Sequence, residues 1–111
     1  MKGKVFYHCV LIKFHEGVDE TKQQDIYDRY QTLDKDCGGR EAGILFWAVE
    51  QNIDMRKGYH LMELAVFTDG EAFQKFRAHP KHAAIAMDLS KLADWVIGDI
   101  VARTPNLAAA G

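Results

Sequence analysis

Residues 5–14, VFYHCVLIKF, are apolar on both of the rows a strand presents. Side chains alternate between the faces of a sheet, so a strand with one face in water shows a polar residue at every second position. Here Phe6, His8, Val10, Ile12 and Phe14 form one row, and Tyr7, Cys9, Leu11 and Lys13 the other. The β-branched and aromatic content suits a strand, and only Lys13 suits water. This segment therefore needs cover on both faces, and His8 stands inside an apolar row.

The rest of the chain supplies one of those covers. Asp19 is placed to cap a helix reaching about Cys37, with Ile26, Tyr30, Leu33 and Cys37 on one stripe and Gly38-Gly39 ending it. Ile44–Val49 reads as strand two and Tyr59–Phe67 as strand three, paired antiparallel across the polar connector 51–58. Thr68 and Glu71 have capping-box spacing ahead of a short helix that turns Ala72, Phe73 and Phe76 inward. That helix must stop near His79, because Pro80 disfavours a helical residue before it. Pro80 then opens a second helix with His82, Ile85, Ala86 and Leu89 on one face. Residues 93–101, ADWVIGDIV, close the pattern as strand four.

The order β-α-β-β-α-β predicts an α+β, ferredoxin-like fold: a four-stranded antiparallel sheet with its helices on one face. The opposite face stays bare in a single copy, yet strand one is apolar there too. A second sheet packed on it, in a homodimer, would bury it.

With 111 residues, 48% of them hydrophobic, the chain is long enough for one core and too short for two. The expected domain is 1–104, followed by a loose tail over 105–111. A formal charge of −2 with scattered Lys and Arg provides no basic stripe, which argues against nucleic acid and anionic membrane as partners. Cys9 and Cys37 make neither a disulfide framework nor a zinc ligand set. Neither a signal-type N-terminal segment nor a run of eighteen apolar residues is present, so a soluble, cytoplasmic protein is expected. Gly38-Gly39 and Gly43 lack the pattern of a phosphate-binding loop, and no nucleotide cofactor is implied.

The chemistry-bearing residues centre on His8 and on the string His79-Pro80-Lys81-His82. In this fold His8 faces the helices and His82 faces the sheet, so the two imidazoles converge on one cavity. Such a pair suits proton transfer near neutral pH; the plainer reading is two core histidines, each satisfied by a backbone group or a water. His79 and His82 with His8, His60 or Asp88 would be a metal set only if a third ligand came from the fold, and the spacing dictates none. His79 reads better as a helix-terminus residue. Cys9 and His8 are neighbours on a strand and point to opposite faces, which removes them as a nucleophile–base pair. Trp47 and Trp95, with Phe46 and Phe73, are either a wall for an aromatic ligand or plain core. Glu63, a carboxylate within an apolar strand, needs a partner, from the other subunit if it stands at a dimer interface; a role as catalytic acid is the lesser alternative.

YHCVLIKF at the start, GYHLMELAVF as strand three, AHPKHAAIA at the last helix and the closing WVIGDI together resemble the stress-responsive A/B barrel (Dabb) family. The resemblance covers nearly the whole chain. It implies a dimeric α/β barrel with a pocket between sheet and helices in each subunit. The sequence is similar to the plant olivetolic acid cyclases of that family at His8, Tyr30 and His82, which implies His82 as base, His8 as its pocket partner and Tyr30 as a polar contact. Where those cyclases place a pocket tyrosine, three residues before the histidine string, this chain has Phe76. The expected ligand is a small aromatic or ketoacyl-like metabolite held by Tyr30, Phe76 and Trp47, with no cofactor and no metal. The reaction class is a cofactor-independent cyclisation or isomerisation. The alternative is a non-catalytic, stress-related dimer that serves a structural or partner-binding role. Dimeric ferredoxin-like monooxygenases that work without a cofactor are a further relation, to which no residue here points specifically.

Overall fold

Cover on both sides places the first strand at the centre of the sheet. In the computed structural model, which describes residues 3–104, this is β1, Lys4–Phe14. It is flanked by β3 (Leu61–Phe67) and by β4 (Ala93–Arg103), and β2 (Ile44–Gln51) lies outside β3. All three pairings are antiparallel and the order is β2-β3-β1-β4, the ferredoxin-like arrangement. Helices α1 (Glu20–Gln31), α2 (Leu33–Asp36), α3 (Gly70–Ala78) and α4 (Pro80–Ser90) complete the chain, with a 3₁₀ turn at Gly39–Ala42. Among the described residues no helix is long and apolar enough to cross a membrane.

The core lies between the helices and the inward row of the sheet. Ile12, Ile26, Val49 and Phe67 are sealed completely, and the Phe67 ring meets Phe73 and Phe76 with centroids 5.4 and 5.2 Å away. Burying a side chain of that size stabilises the fold by roughly 1.5–3 kcal/mol. On the other side of the sheet Phe46, Leu64, Val96 and Ile100 remain exposed, in register with Tyr7, Cys9 and Leu11.

Several boundaries differ from the sequence reading. The first helix breaks at Thr32, where the carbonyl of Tyr30 accepts from the Thr32 N–H and from Trp47 Nε1 at 2.9 Å; α2 still carries Leu33 and the following Cys37 into the core. Strand β3 starts at Leu61 rather than Tyr59, because the imidazole Nδ1 of His60 accepts the Phe14 N–H at 3.1 Å where a ladder carbonyl would. Asp69, not Thr68, caps α3: its Oδ1 accepts from Ala72 N at 2.8 Å, while the Thr68 N–H is held by the Gly43 carbonyl at 2.9 Å. Strand β4 runs to Arg103, two residues beyond the expected end, and the tail predicted for 105–111 lies outside the described residues.

Gly43 is required where it stands. Its φ is +88°, and a Cβ there would lie 2.7 Å from Thr68 Oγ1 and 2.8 Å from Ala72 Cβ. Only glycine lets the chain enter β2 so close to the start of α3.

Candidate functional site

The β1 row that faces the helices puts His8 among charged groups supplied by both neighbouring strands. On β4, Asp99 is its direct cross-strand partner, and His8 Nδ1 lies 2.6 Å from Asp99 Oδ1. On β3, Glu63 lies opposite Val10, and its Oε2 is 3.2 Å from His8 Nε2. Burial alone would lower the pKa of His8, but the two carboxylates outweigh it and raise the value above the ordinary 6.5. His8 is thus an imidazolium over more of the pH range than a free histidine, with Nδ1–H donating to Asp99. The Glu63 contact is close but off the N–H axis, so Oε2, buried, has no aligned donor among the described residues.

His82 is the opposite case. Pro80 fixes the first turn of α4, and His79 caps it, its Nδ1 accepting from Lys81 N at 3.1 Å. This sets His82 one turn in, half-buried, with its ring 4.8 Å from that of Phe76. Its Nδ1 lies 3.1 Å from the carbonyl oxygen of Arg77. A carbonyl only accepts, so Nδ1 carries the proton and Nε2 keeps the lone pair in the neutral ring. Burial lowers the pKa of His82 below 6.5, which keeps it neutral near pH 7.

Both rings line one cavity of about 240 Å³, together with Tyr30, Glu63 and Arg77 and an apolar wall that includes Phe73, Leu89 and Trp95. Tyr30 is buried, and its phenol pKa is pushed upward by burial and by the charge of Glu63, so the hydroxyl keeps its proton as a donor. The cavity is smaller than the ~300–1,000 Å³ of pockets for drug-sized ligands, and suits a single ring or a short acyl chain. A groove of about 680 Å³ also opens between α1 and the connector 52–60, but it is polar and broad; its His60 and Tyr27 are engaged with Phe14 N and Glu50.

The structure brings His8, His82 and Tyr30 together as the sequence predicted. It does not bring Phe76 and Trp47 to the cavity wall. Phe76 lies under His82 and against Phe67, while Trp47 packs on Phe76 with ring centroids 5.4 Å apart. Phe46 is exposed on the bare sheet face. Glu63 does not take the interface position: it shares the inward face with Val10 and His8, because register with β1 fixes its parity. Asp99 and Arg77 were missed. Asp99 carried the same signal as Glu63, an acid within an apolar strand, and became visible once His8 was paired across β4; Arg77 had no local signal. Among the described residues no three His, Cys, Asp or Glu side chains gather as a metal set.

The model of the stress responsive A/B barrel domain matches residues 6–102, nearly the whole chain. The chain belongs to this family. No curated protein matches it in sequence. Among solved structures, this Dabb chain is similar to a dimeric ferredoxin-like protein of unknown function from Thermobifida fusca, with a TM-score of 0.76, 18% identity, and 92% and 94% of the two chains covered. It is similar to the hydroxynitrile lyase of Passiflora edulis, with a TM-score of 0.77, 13% identity and coverage of 93% and 97%. SnoaB of Streptomyces nogalater, a cofactor-independent oxygenase, matches with a TM-score of 0.67, 20% identity and coverage of 94% and 97%. At these identities the likeness is one of fold.

Proposed function

We propose that two copies of this Dabb domain pack their bare sheet faces together, and that the cavity in each binds a small aromatic or ketoacyl-like metabolite for cofactor-independent proton transfer, of the polyketide cyclase or isomerase kind. The observation that carries the proposal is the division of labour between the two histidines on one 240 Å³ cavity. His82, neutral with its Nε2 lone pair free, takes the proton from carbon. His8, its pKa raised by Glu63 and Asp99, is protonated over more of the pH range than His82 and so is less available as the base; its ring holds Glu63 at 3.2 Å beside the cavity. Tyr30 offers its hydroxyl to the ligand's carbonyl oxygen. The similarity to the olivetolic acid cyclases at His8, Tyr30 and His82 supports this assignment, while Phe76, which stands where they carry a tyrosine, lies beneath His82 rather than on the cavity wall. The dimer rests on the exposed Phe46, Leu64, Val96 and Ile100 and on the dimeric state named for the Thermobifida relative.

The test is uptake of deuterium from solvent at the acidic C–H of small β-dicarbonyl compounds, followed by proton NMR. The rate should fall on the acid side with a midpoint below 6.5, as His82 protonates, and His82→Ala should lose about 10²-fold or more. Equal rates in wild type and His82→Ala, with equal melting temperatures, would leave the non-catalytic, stress-related dimer as the reading. Sedimentation should give twice the 12.6 kDa chain mass.

A further inference from the structure

Besides His8, Tyr30 and His82, the cavity lining carries two charged residues, Glu63 and Arg77, and an apolar wall. Glu63 stands on strand β3, and its buried Oε2, 3.2 Å from His8 Nε2, has no well-aligned hydrogen-bond donor among the described residues. The His8 contact leaves capacity for a further acceptor bond, which a ligand hydroxyl or amide would fill. Arg77 closes the last turn of α3; its backbone carbonyl sets the tautomer of His82, and the residue is among those lining the same cavity while remaining exposed to solvent. Among the described residues the Arg77 guanidinium has neither an ion-pair partner nor a hydrogen-bond acceptor, whereas Arg29 and Arg56 are each paired with an aspartate. Phe73, Leu89, Trp95 and Ile97 supply apolar wall for the body of a ligand.

We infer that the ligand of this site is a small amphipathic organic acid: its anionic group is held by Arg77 at the solvent-facing rim, its apolar, preferably aromatic, body lies along Phe73 and Trp95, and a hydroxyl at its far end donates to Glu63 Oε2. This rests on the reading of the cavity as a ligand site and adds the class of ligand. A guanidinium offers a planar fork to a carboxylate, so the acid end is recognised by geometry as well as charge. The two polar ends also orient the ligand, holding it in one direction past the ring of His82. Neutral metabolites of the same shape satisfy only one end.

The test is binding of three probes of one shape, measured by calorimetry on the full chain. They are 3-(4-hydroxyphenyl)propanoate, its primary amide, which lacks the charge, and 3-phenylpropanoate, which lacks the hydroxyl. In the wild type the amide should bind three- to tenfold more weakly than the acid, a modest factor because Arg77 is exposed, and the difference should shrink at high salt. Removing the hydroxyl should cost about tenfold, as expected for a hydrogen bond to a charged group. The acid–amide difference should vanish in Arg77→Ala, and the hydroxyl difference should shrink in Glu63→Gln. Equal binding of acid and amide to the wild type overturns the inference, as does an acid preference that survives in Arg77→Ala. Failure of all three probes to bind overturns it as well, and the proton-exchange assay then separates the two claims: His82-dependent exchange leaves the proposed function standing, and its absence removes both.

Discussion

Replacing Asp99 by Asn removes one charge from His8 while leaving an acceptor oxygen of nearly the same shape. In the native arrangement His8 Nδ1 and Asp99 Oδ1 are 2.6 Å apart, and the His8 side chain is 5% exposed while that of Asp99 is 34% exposed. Unit charges about 4 Å apart at an effective dielectric of ~20 attract by about 4 kcal/mol. Screening at the partly exposed Asp99 reduces this, and what remains helps to hold the pKa of His8 above its ordinary value. In the variant, burial is opposed by Glu63 alone, and the pKa of His8 should fall. The pH-dependent part of the stability shrinks with it. In the wild type the raised folded pKa contributes stability that is complete below 6.5 and is lost as pH rises through the folded value. In Asp99→Asn less of that contribution remains, so the loss of stability is greatest at low pH and fades as pH rises through the wild-type folded value. The assay is an NMR titration of the His8 ring, assigned by its disappearance in His8→Gln, combined with melting temperatures between pH 5 and 8. The melting deficit of Asp99→Asn should be largest near pH 5.5 and shrink toward pH 8. A His8 pKa at or below 6.5 in the wild type, or one unmoved by the substitution, would refute the charge-clamp account.

Asp69→Ala should lower stability by about 0.5–2 kcal/mol through loss of the α3 cap, whereas Thr68→Val should cost less; a denaturant titration of both variants decides which residue caps. Gly43→Ala should destabilise by more than the ~1–2 kcal/mol of a left-handed non-glycine residue, because Thr68 Oγ1 and Ala72 Cβ already occupy the space; a melting temperature equal to the wild type would contradict this. Leu64→Lys on the bare sheet face should halve the sedimenting mass while the far-ultraviolet dichroism stays native, and an unchanged mass would move the subunit interface elsewhere.

Local chemistry in the chain was enough to specify the elements and the architecture. The double apolar row of residues 5–14 demands a strand covered on both faces, Pro80 demands a helix start, and the order of periodicities points to the ferredoxin-like sheet. His8 on the helix-facing row and His82 on the inner face of α4 also followed from parity and helical spacing alone. Tertiary structure decided what those groups are. The protonation states of the two histidines depend on residues distant in sequence: Asp99, 91 positions away, clamps His8, and the Arg77 carbonyl orients His82. The face that Glu63 takes was decided in the same way, by the register of β3 on β1. The break at Thr32, where Trp47 takes the Tyr30 carbonyl, likewise arises from a contact between elements. Periodicity reports which face a residue occupies within its own element. Which charges meet across that face is set by the pairing of strands and the packing of helices, and the chemistry of the cavity was determined at that level.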